Sequence, residues 1–339
     1  MDTVNYDECG FHAFRVNWPH YTKSIFQNRT EIVTDGSGTI TGVTNPEKLL
    51  WAKIPPSDGE IQILEVGKGA FSSCTKLRQI TFSSNLEVIS EEAFLNSAML
   101  SSVSLPDSVY EIGKGAFEKT ALRCFVVPRQ VDSVSSRCFM DDRNLESVVL
   151  HEDMKRIGIL AFAGCSNLRS LDLPQGIEEV EEGCFMSSGL RSLYLPRSIR
   201  TIGEGALQSC SFLEKIFYDG RDEDFRKIRF GRNWNRRLNP ACTLFIRDSR
   251  GYWYDAFSSE GKAVHETDEI REALSLFGLE TVPGESELTS LFRKKAMAFH
   301  PDRLSGLNLD SEYTRFAEEQ FRRYRSAYDL IRPYCRKNS

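Results

Sequence analysis

Residues from about 60 to 220 repeat with a period of 22 or 23, and this period constrains the fold more than any other feature. Each unit is marked by a small residue followed by a large apolar one: Ala70-Phe71, Ala93-Phe94, Ala116-Phe117, Cys138-Phe139, Ala161-Phe162, Cys184-Phe185 and Ala206-Leu207. Leucines follow in step: Leu77, Leu100, Leu122, Leu145, Leu168, Leu190 and Leu213. Such units in phase predict a solenoid, in which each unit buries its apolar side chains only against its neighbours.

The unit around residues 157–174 indicates how one repeat folds. In Leu171-Asp172-Leu173 apolar and polar side chains alternate, which predicts a short strand that ends at Pro174. The stretch from Gly158 to Phe162 predicts a turn that points the Phe ring into the stack. Phe side chains, rather than Leu alone, should therefore fill the interior layer.

One position of the repeat carries small or hydrogen-bonding side chains, three residues after each large apolar residue. These residues are Cys74, Ser97, Thr120, Asp142, Cys165, Ser188 and Cys210. Their recurrence predicts an internal ladder of hydrogen bonds that satisfies buried backbone groups of the turns. We assign these cysteines a structural role, because a buried Cys usually behaves as a small apolar residue.

The consensus of the units is L-x-x-[LIV]-x-[LV]-P followed by [IV]-G-x-x-[AC]-F-x-x-[CS], and it resembles the BspA-like class of leucine-rich repeats. The resemblance covers roughly half of the chain and implies an α/β fold, a leucine-rich-repeat solenoid of about seven units. A small all-α module is expected to follow it. Many members of this class are secreted or surface proteins.

These features divide the chain into five predicted parts. Residues 1–59 form a lead-in and the first cap of the solenoid, 60–220 the repeats, 221–250 the second cap, 251–266 a linker and 267–335 the helical module. Caps are required because the end layers of a solenoid would otherwise expose apolar side chains.

Three helices are predicted in the C-terminal part. The first spans 268–277, where Ile270, Leu274 and Phe277 share a face, and Gly278 stands where a C-terminal cap belongs. The second spans 286–299 with Ser286 as its N-cap, and the third spans 311–331. The two longer helices are expected to pack antiparallel, with His300-Pro301-Asp302 at their tip.

This arrangement resembles a J domain. The segment Leu291-Phe292-Arg293-Lys294-Lys295-Ala296-Met297-Ala298-Phe299-His300-Pro301-Asp302-Arg303 is similar to the second helix and loop of that family, and residues 321–331 are similar to its third helix. The resemblance implies docking on a heat-shock ATPase of the DnaK type, which J domains stimulate to hydrolyse ATP and trap a client protein.

The resemblance also implies roles for single residues. Asp302 would pair with a basic residue of the ATPase, and His300 and Pro301 would set the shape of the loop. Arg293, Lys294 and Arg303 would steer association with an acidic surface.

The sequence departs from the family pattern at two positions, where Ala298 replaces a usually basic residue and Lys295 replaces an apolar one. The alternative is therefore a repeat scaffold with a degenerate J-like docking module.

A second candidate surface is the outward side of the predicted strands. One outward position of each unit is occupied by Thr81, Ser104, Val126, Val149, Asp172, Tyr194 or Phe217. We interpret Val126, Val149, Asp172, Tyr194 and Phe217 as candidate contacts for a protein partner. The equal alternative is that the N-terminal segment or the J domain itself covers this face.

The second cap is rich in arginine, with Phe230 and Trp234 interspersed between 226 and 250. Such a stretch is typical of a nucleic-acid patch, which is the weaker alternative for function. We favour a solvated cap with one buried Trp, so nucleic acid is not an expected partner.

The remaining features indicate a cytoplasmic adaptor rather than an enzyme. The formal charge is −5, no basic-then-apolar leader begins the sequence, and no apolar run approaches the ~20 residues of a membrane span. The nine cysteines are scattered without a C-x-x-C pair, which predicts reduced thiols and no metal site. No phosphate-binding or hydrolase motif occurs, so no cofactor is expected.

Overall fold

The computed structural model describes residues 5–6, 11–12, 15–16, 23–26, 30–247, 253–256, 268–279, 281–299 and 311–335. Six strands precede the repeats: β1 (Asn5–Tyr6), β2 (Phe11–His12), β3 (Arg15–Val16), β4 (Lys23–Phe26), β5 (Thr30–Thr34) and β6 (Thr39–Val43). Strands β3 to β6 pair antiparallel in sequence order, and β6 then pairs in parallel with the first repeat. Strands β5 and β6 therefore extend the sheet at the N-terminal end of the solenoid.

The other strands all belong to the solenoid and its ends. They are β7 (Trp51–Ile54), β8 (Ser57–Asp58), β9 (Ile61–Gln62), β10 (Glu65–Val66), β11 (Gln79–Phe82), β12 (Val88–Ile89), β13 (Ser102–Ser104), β14 (Glu111–Ile112), β15 (Cys124–Val126), β16 (Ser133–Val134), β17 (Ser147–Val149), β18 (Arg156–Ile157), β19 (Ser170–Asp172), β20 (Glu179–Val180), β21 (Ser192–Leu195), β22 (Thr201–Ile202), β23 (Lys215–Tyr218), β24 (Arg229–Phe230), β25 (Thr243–Arg247) and β26 (Trp253–Asp255).

Each repeat contributes one strand to each of two parallel ladders. The first ladder runs from β7 to β25 along the predicted strands, with interruptions in the pairing between β13 and β15 and between β17 and β19, and we call its outward side the strand face. The second ladder runs from β6 to β24, with an interruption between β14 and β16, and consists of short strands that precede the Gly-containing turns. Register is kept by inward apolar residues, as in the row Leu171, Leu193, Ile216 and Leu244.

The interior of the solenoid is a column of stacked phenylalanine rings. Neighbouring rings from Phe71 to Phe185 lie 5.2 to 5.8 Å apart with nearly parallel planes, and all are buried. This confirms the prediction that Phe fills the interior layer.

The predicted internal ladder is also present. Ser97 donates to the carbonyl of Phe71 at 2.7 Å, Cys165 to that of Phe139 at 3.1 Å and Cys210 to that of Phe185 at 3.0 Å. Each side chain therefore ties its own turn to the Phe of the preceding unit. Burial raises the pKa of the Cys165 thiol well above its ordinary value, which agrees with a structural role.

The solenoid differs from the predicted α/β class. It is a β-solenoid of about eight turns, and among the described residues of the repeats the connections are turns, apart from helix α1 (Asp222–Phe225) in the second cap. The lengths of the connections explain this, because segments such as 173–178 and 181–191 are too short for a helix of average length together with its flanking turns.

The C-terminal part contains helices α2 (Asp268–Phe277), α3 (Glu285–Phe299) and α4 (Ser311–Ile331), followed by a 3-10 turn at Arg332–Tyr334. The bounds of α2 and α4 agree with the prediction. Helix α3 begins one residue early because Leu288 donates its backbone NH to the carbonyl of Gly284, so Ser286 is not the N-cap. Gly278 ends α2 with a φ of 74°, the left-handed conformation expected of a C-terminal cap.

Helices α3 and α4 pack antiparallel. Glu285 pairs with Arg332, the rings of Phe292 and Tyr328 stack at 4.5 Å, and the ammonium of Lys295 lies 5.5 Å from the ring centre of Tyr324. Contacts thus move toward the start of α4 as they advance along α3. Together with α2 these helices form a separate apolar core, which we call the helical module.

Candidate functional site

The helical module lies on the strand face of the solenoid. Along α4 and the following turn, Phe321 and Arg322 adjoin β15 and β17, Arg325 reaches β19, Arg332 reaches β21, and Tyr334 adjoins β23 and β25. Helix α4 therefore runs along the solenoid axis and crosses successive strands.

The crossing is regular because the rise of the helix and the spacing of the strands are similar. Three residues of an α-helix rise about 4.5 Å, and neighbouring strands lie about 4.8 Å apart. A helix stripe that runs along the solenoid axis therefore advances about one repeat per turn, although Arg325, Asp329 and Arg332 all meet the same strand, β19. Arg322, Arg325, Asp329 and Arg332 form this stripe, while Ala327, Tyr328 and Ile331 face the core of the helical module.

Asp172 is the centre of the interface. Its carboxylate lies 2.6 Å from the guanidinium of Arg332 and 3.7 Å from that of Arg325. Burial alone would lower the pKa of Arg332, but Asp172 and the other acidic neighbours outweigh this effect, and the net shift is upward. One solenoid carboxylate therefore pairs with Arg325 of α4 and with Arg332 of the turn that follows it.

Ser170 and Asp329 add a hydrogen-bonded pair beside it. The Ser170 hydroxyl donates to the carboxylate of Asp329 at 2.6 Å and accepts from Arg325 at 3.1 Å. Burial raises the pKa of Asp329, against the opposing effect of Arg325. Ser170 and Asp172 are alternate residues of β19, so both side chains point outward and meet the same turn of α4.

Tyr194 of the next strand is covered by the helical module. Its ring lies under the guanidinium of Arg332, 4.2 Å from the ring centre, and its hydroxyl donates to the backbone carbonyl of Asp329 at 3.3 Å. Burial raises the pKa of this hydroxyl well above its ordinary value. The stack of Tyr194, Phe217 and Phe245, with ring centres 4.5 and 5.0 Å apart, continues this surface across three repeats.

A buried arginine, Arg247, lies at the end of the interface that is formed by the last strand of the repeats. Arg247, at the end of β25, lies 2.7 Å from Asp219 and donates to the backbone carbonyl of Cys335 at 3.0 Å. It also pairs with Glu285 at the start of α3, which in turn accepts from Arg332 at 2.8 Å. The last strand of the repeats, α3 and the end of α4 are therefore tied together.

A cleft of about 210 Å³ remains where the end of α4 meets β21, β23 and β25. Its floor is the aromatic stack, and charged side chains from the strands form its rim. The lining residues are Arg191, Ser192, Tyr194, Glu214, Lys215, Phe217, Phe245, Asp329, Leu330 and Tyr334.

The candidate partner contacts therefore lie at an intramolecular interface. Tyr194 and Phe217 are buried, Asp172 is engaged by two arginines, Val149 packs against the helical module, and Val126 is half-buried. At Val149, Asp172, Tyr194 and Phe217 the helical module occupies the strand face, so these four positions do not form a free partner surface in this arrangement. Of the two covers considered from the sequence, the C-terminal module is the one observed.

The candidate chaperone-docking residues are only partly described. His300, Pro301, Asp302 and Arg303 lie outside the described residues. Lys294 is exposed, whereas Arg293 turns toward the solenoid and pairs with Glu152 at 3.4 Å.

The arginine-rich cap forms the last layer of the solenoid. Trp234 packs against the solenoid core and lies 4.6 Å from Phe230, while Arg226 and Lys227 pair with Asp222 and Asp224. Trp234 is half-buried rather than buried as the sequence predicts, and Arg226 and Lys227 are exposed as in a solvated cap.

Among the described residues, no group of three or more His, Cys, Asp or Glu side chains is arranged to hold a metal ion. No helix in the same part of the chain is both long and apolar enough to cross a membrane.

Sequence reasoning missed the residues that build the interface: Ser170, Arg247, Glu285, Arg325, Asp329 and Arg332. A signal was present in α4, where charged residues at 322, 325, 329 and 332 share one helical stripe. The spacing alone does not tell whether that stripe faces solvent or the solenoid.

The comparisons with known proteins concern the solenoid. Similar solved structures include a leucine-rich repeat protein from Bacteroides ovatus (20% identity, 69% of this chain and 76% of that one, TM-score 0.42). A leucine-rich repeat protein from T. pallidum is also similar (20% identity, 64% of this chain and 86% of that one, TM-score 0.40), as is the pneumococcal vaccine antigen PcpA (15% identity, 78% of this chain and 96% of that one, TM-score 0.33). No curated protein matches the sequence.

The model of the BspA type leucine rich repeat region matches residues 54–145 and 132–231 in six copies, which is more than half of the chain. The match falls on the two parallel ladders and the phenylalanine column described above. The chain therefore belongs to the BspA-type leucine-rich-repeat family.

Proposed function

We propose that the helical module is a J domain and that the protein is a co-chaperone of a DnaK-type ATPase. The observation that carries this proposal is the antiparallel packing of α3 and α4 with His300-Pro301-Asp302 in the connection between them. The tripeptide alone is a weak signal, and the two flanking helices give it the setting in which it acts in J domains.

In this proposal Asp302 pairs with a basic residue of the ATPase, and His300 and Pro301 shape the loop. Arg293, Lys294 and Arg303 provide positive charge that steers association with an acidic surface and raises the rate of encounter. The exposed position of Lys294 supports this role.

The solenoid would hold the client or another protein partner. Leucine-rich-repeat solenoids generally bind proteins through their extended surfaces. Because α4 covers the strand face from β15 onward, a partner would meet the earlier strands β7 to β13 or the other sides of the solenoid. The chain itself would supply no covalent chemistry, and a cytoplasmic location, with buried thiols kept reduced, is part of the proposal.

Steady-state ATP hydrolysis by a DnaK-type chaperone tests this function. We expect the full-length protein to stimulate hydrolysis and the His300→Gln variant to have lost the stimulation while keeping the fold. Absence of stimulation by the wild type with every chaperone of its host would contradict the proposal and leave a repeat scaffold with a degenerate docking module.

A further inference from the structure

Arg293, a candidate contact for the ATPase, already has an acidic partner within the chain. Its guanidinium lies 3.4 Å from the carboxylate of Glu152, which belongs to the turn between β17 and β18 of the solenoid. The Arg293 side chain is 28% exposed, whereas that of Glu152 is 73% exposed. The solenoid thus presents an acidic group to a basic residue of the candidate docking face.

The contact lies at the margin of the interface and is not required for docking of the helical module. Ser170 and Asp172 of the next strand, β19, hold α4 and the turn after it, and Arg247 on β25 holds Glu285 and Cys335, through buried ion pairs and hydrogen bonds. The Glu152 pair is exposed, so it can break while the helical module stays in place.

We propose that Glu152 is an intramolecular competitor for Arg293 and thereby sets the affinity of the protein for its DnaK-type chaperone. This inference rests on the proposed function. An acidic surface of the ATPase would have to replace Glu152 as the partner of Arg293. Because Glu152 is held beside Arg293 by the fold, it competes at a constant and high effective concentration.

The size of the effect follows from the exposure of the pair. Exposed ion pairs of this kind change an equilibrium by about one- to fivefold, and salt screens them. Removal of the Glu152 charge should therefore lower the concentration of protein that gives half-maximal ATPase stimulation by about two- to fivefold. The maximal stimulation should stay the same, because Glu152 is not part of the His300-Pro301-Asp302 loop.

The experiment compares Glu152→Gln with Asp153→Asn in the full-length protein. Asp153 is the adjacent residue, its side chain is 74% exposed, and its carboxylate lies 3.9 Å from His151 instead of Arg293. Both variants remove one negative charge from the same turn. We expect the shift in half-maximal concentration for Glu152→Gln alone, and we expect it to shrink toward onefold at roughly 0.5 M salt.

A second comparison places Glu152→Gln in an Arg293→Gln background. If Glu152 acts through Arg293, its replacement has no further effect there, which is the result of a double-mutant cycle for directly coupled residues. Equal shifts for Glu152→Gln and Asp153→Asn, or an undiminished shift in the Arg293→Gln background, would overturn the inference.

The outcomes separate the inference from the function on which it rests. Stimulation by the wild type that Glu152→Gln leaves unchanged refutes the competition alone. No stimulation by the wild type or by Glu152→Gln refutes the co-chaperone function, and the competition with it.

Discussion

The carboxylate of Asp172 on strand β19 lies 2.6 Å from the guanidinium of Arg332, just beyond the end of α4. The same guanidinium lies over the ring of Tyr194 on the next strand. One arginine of the helical module is thus held by a charge from one repeat and an aromatic face from the next. The solenoid and the helical module form a single structural unit through contacts of this kind.

Replacement of Asp172 by Asn should loosen the helical module. The change leaves Arg325 and Arg332 at the interface without their shared carboxylate, and loss of one partner of a buried ion pair typically costs about 3 kcal/mol. We expect calorimetry of the full-length variant to show a separate, earlier unfolding transition of the helical module. Asp132→Asn is the control, because it breaks an exposed pair with Lys155 at 3.1 Å and should change little. Identical profiles for both variants would contradict this role of Asp172.

The stability of the solenoid should depend on pH through Asp142. Burial raises the pKa of this carboxyl to about 8, although hydrogen bonds from Thr120 and Leu122 partly oppose the shift. The folded chain therefore retains a proton that the unfolded chain releases near pH 4. The free energy of unfolding should fall as pH rises from about 4 to 8, by about 1.4 kcal/mol per pH unit in the middle of this range.

The free energy of unfolding of the Asp142→Asn variant should not fall over this pH range, because an amide does not ionise. Urea unfolding of both proteins at several pH values measures the difference, with Asp141→Asn as the neighbouring control. A difference between wild type and Asp142→Asn that stays constant from pH 5 to 7 would show that Asp142 is ionised in the folded chain.

The hydrogen bond of Cys165 should be replaceable by a hydroxyl but not by a methyl group. The thiol donates to the carbonyl of Phe139, and the corresponding Ser97 donates in the same way to Phe71. We expect Cys165→Ser to be about 1 kcal/mol more stable than Cys165→Ala, the usual contribution of one such hydrogen bond. Chemical denaturation measures this difference, and an Ala variant as stable as the Ser variant would argue against the ladder.

Gly189 should tolerate no side chain. An added Cβ would lie 1.9 Å from the backbone carbonyl oxygen of Ser166 in the preceding unit, and this backbone cannot move without breaking the repeat. We predict that Gly189→Ala lowers the free energy of unfolding by about 2 to 3 kcal/mol, as overpacking does. At Gly42 the nearest atom to an added Cβ is 4.0 Å away, so Gly42→Ala serves as the control that should remain close to wild type.

Much of the fold could be predicted because the same residue pattern recurs in seven units of the sequence. The spacing of the Phe residues predicts the column of rings, and the small residues three positions later predict the hydrogen bonds of Ser97 and Cys165. The apolar stripes of α2 and α4 predict their bounds, because a helix buries residues spaced by three and four.

The second ladder of strands was not predicted. Its members are as short as Glu65–Val66, and two residues cannot display an alternating pattern. The only signal is a branched apolar residue before the turn, such as Val180 or Ile202. Their pairing depends on the neighbouring repeats rather than on local sequence.

The interface between the solenoid and the helical module could not be predicted from the sequence either. The outward residues Val126, Tyr194 and Phe217 indicate a face that needs a cover, but several covers satisfy that need. The arginines of α4 indicate a polar stripe, which solvent would satisfy equally well. The contacts of Asp172 with Arg325 and Arg332 bring the two surfaces together, and these pairs are seen only in the assembled fold.

Hydroxyl-radical footprinting tests at single side chains whether the helical module covers the strand face. Phe217 points outward from β23 and is 3% exposed under the helical module, whereas Phe212, five residues earlier, is 62% exposed. We predict that Phe212 is oxidised rapidly in the full-length protein and that Phe217 is protected. Equal oxidation of the two residues would contradict the docked arrangement.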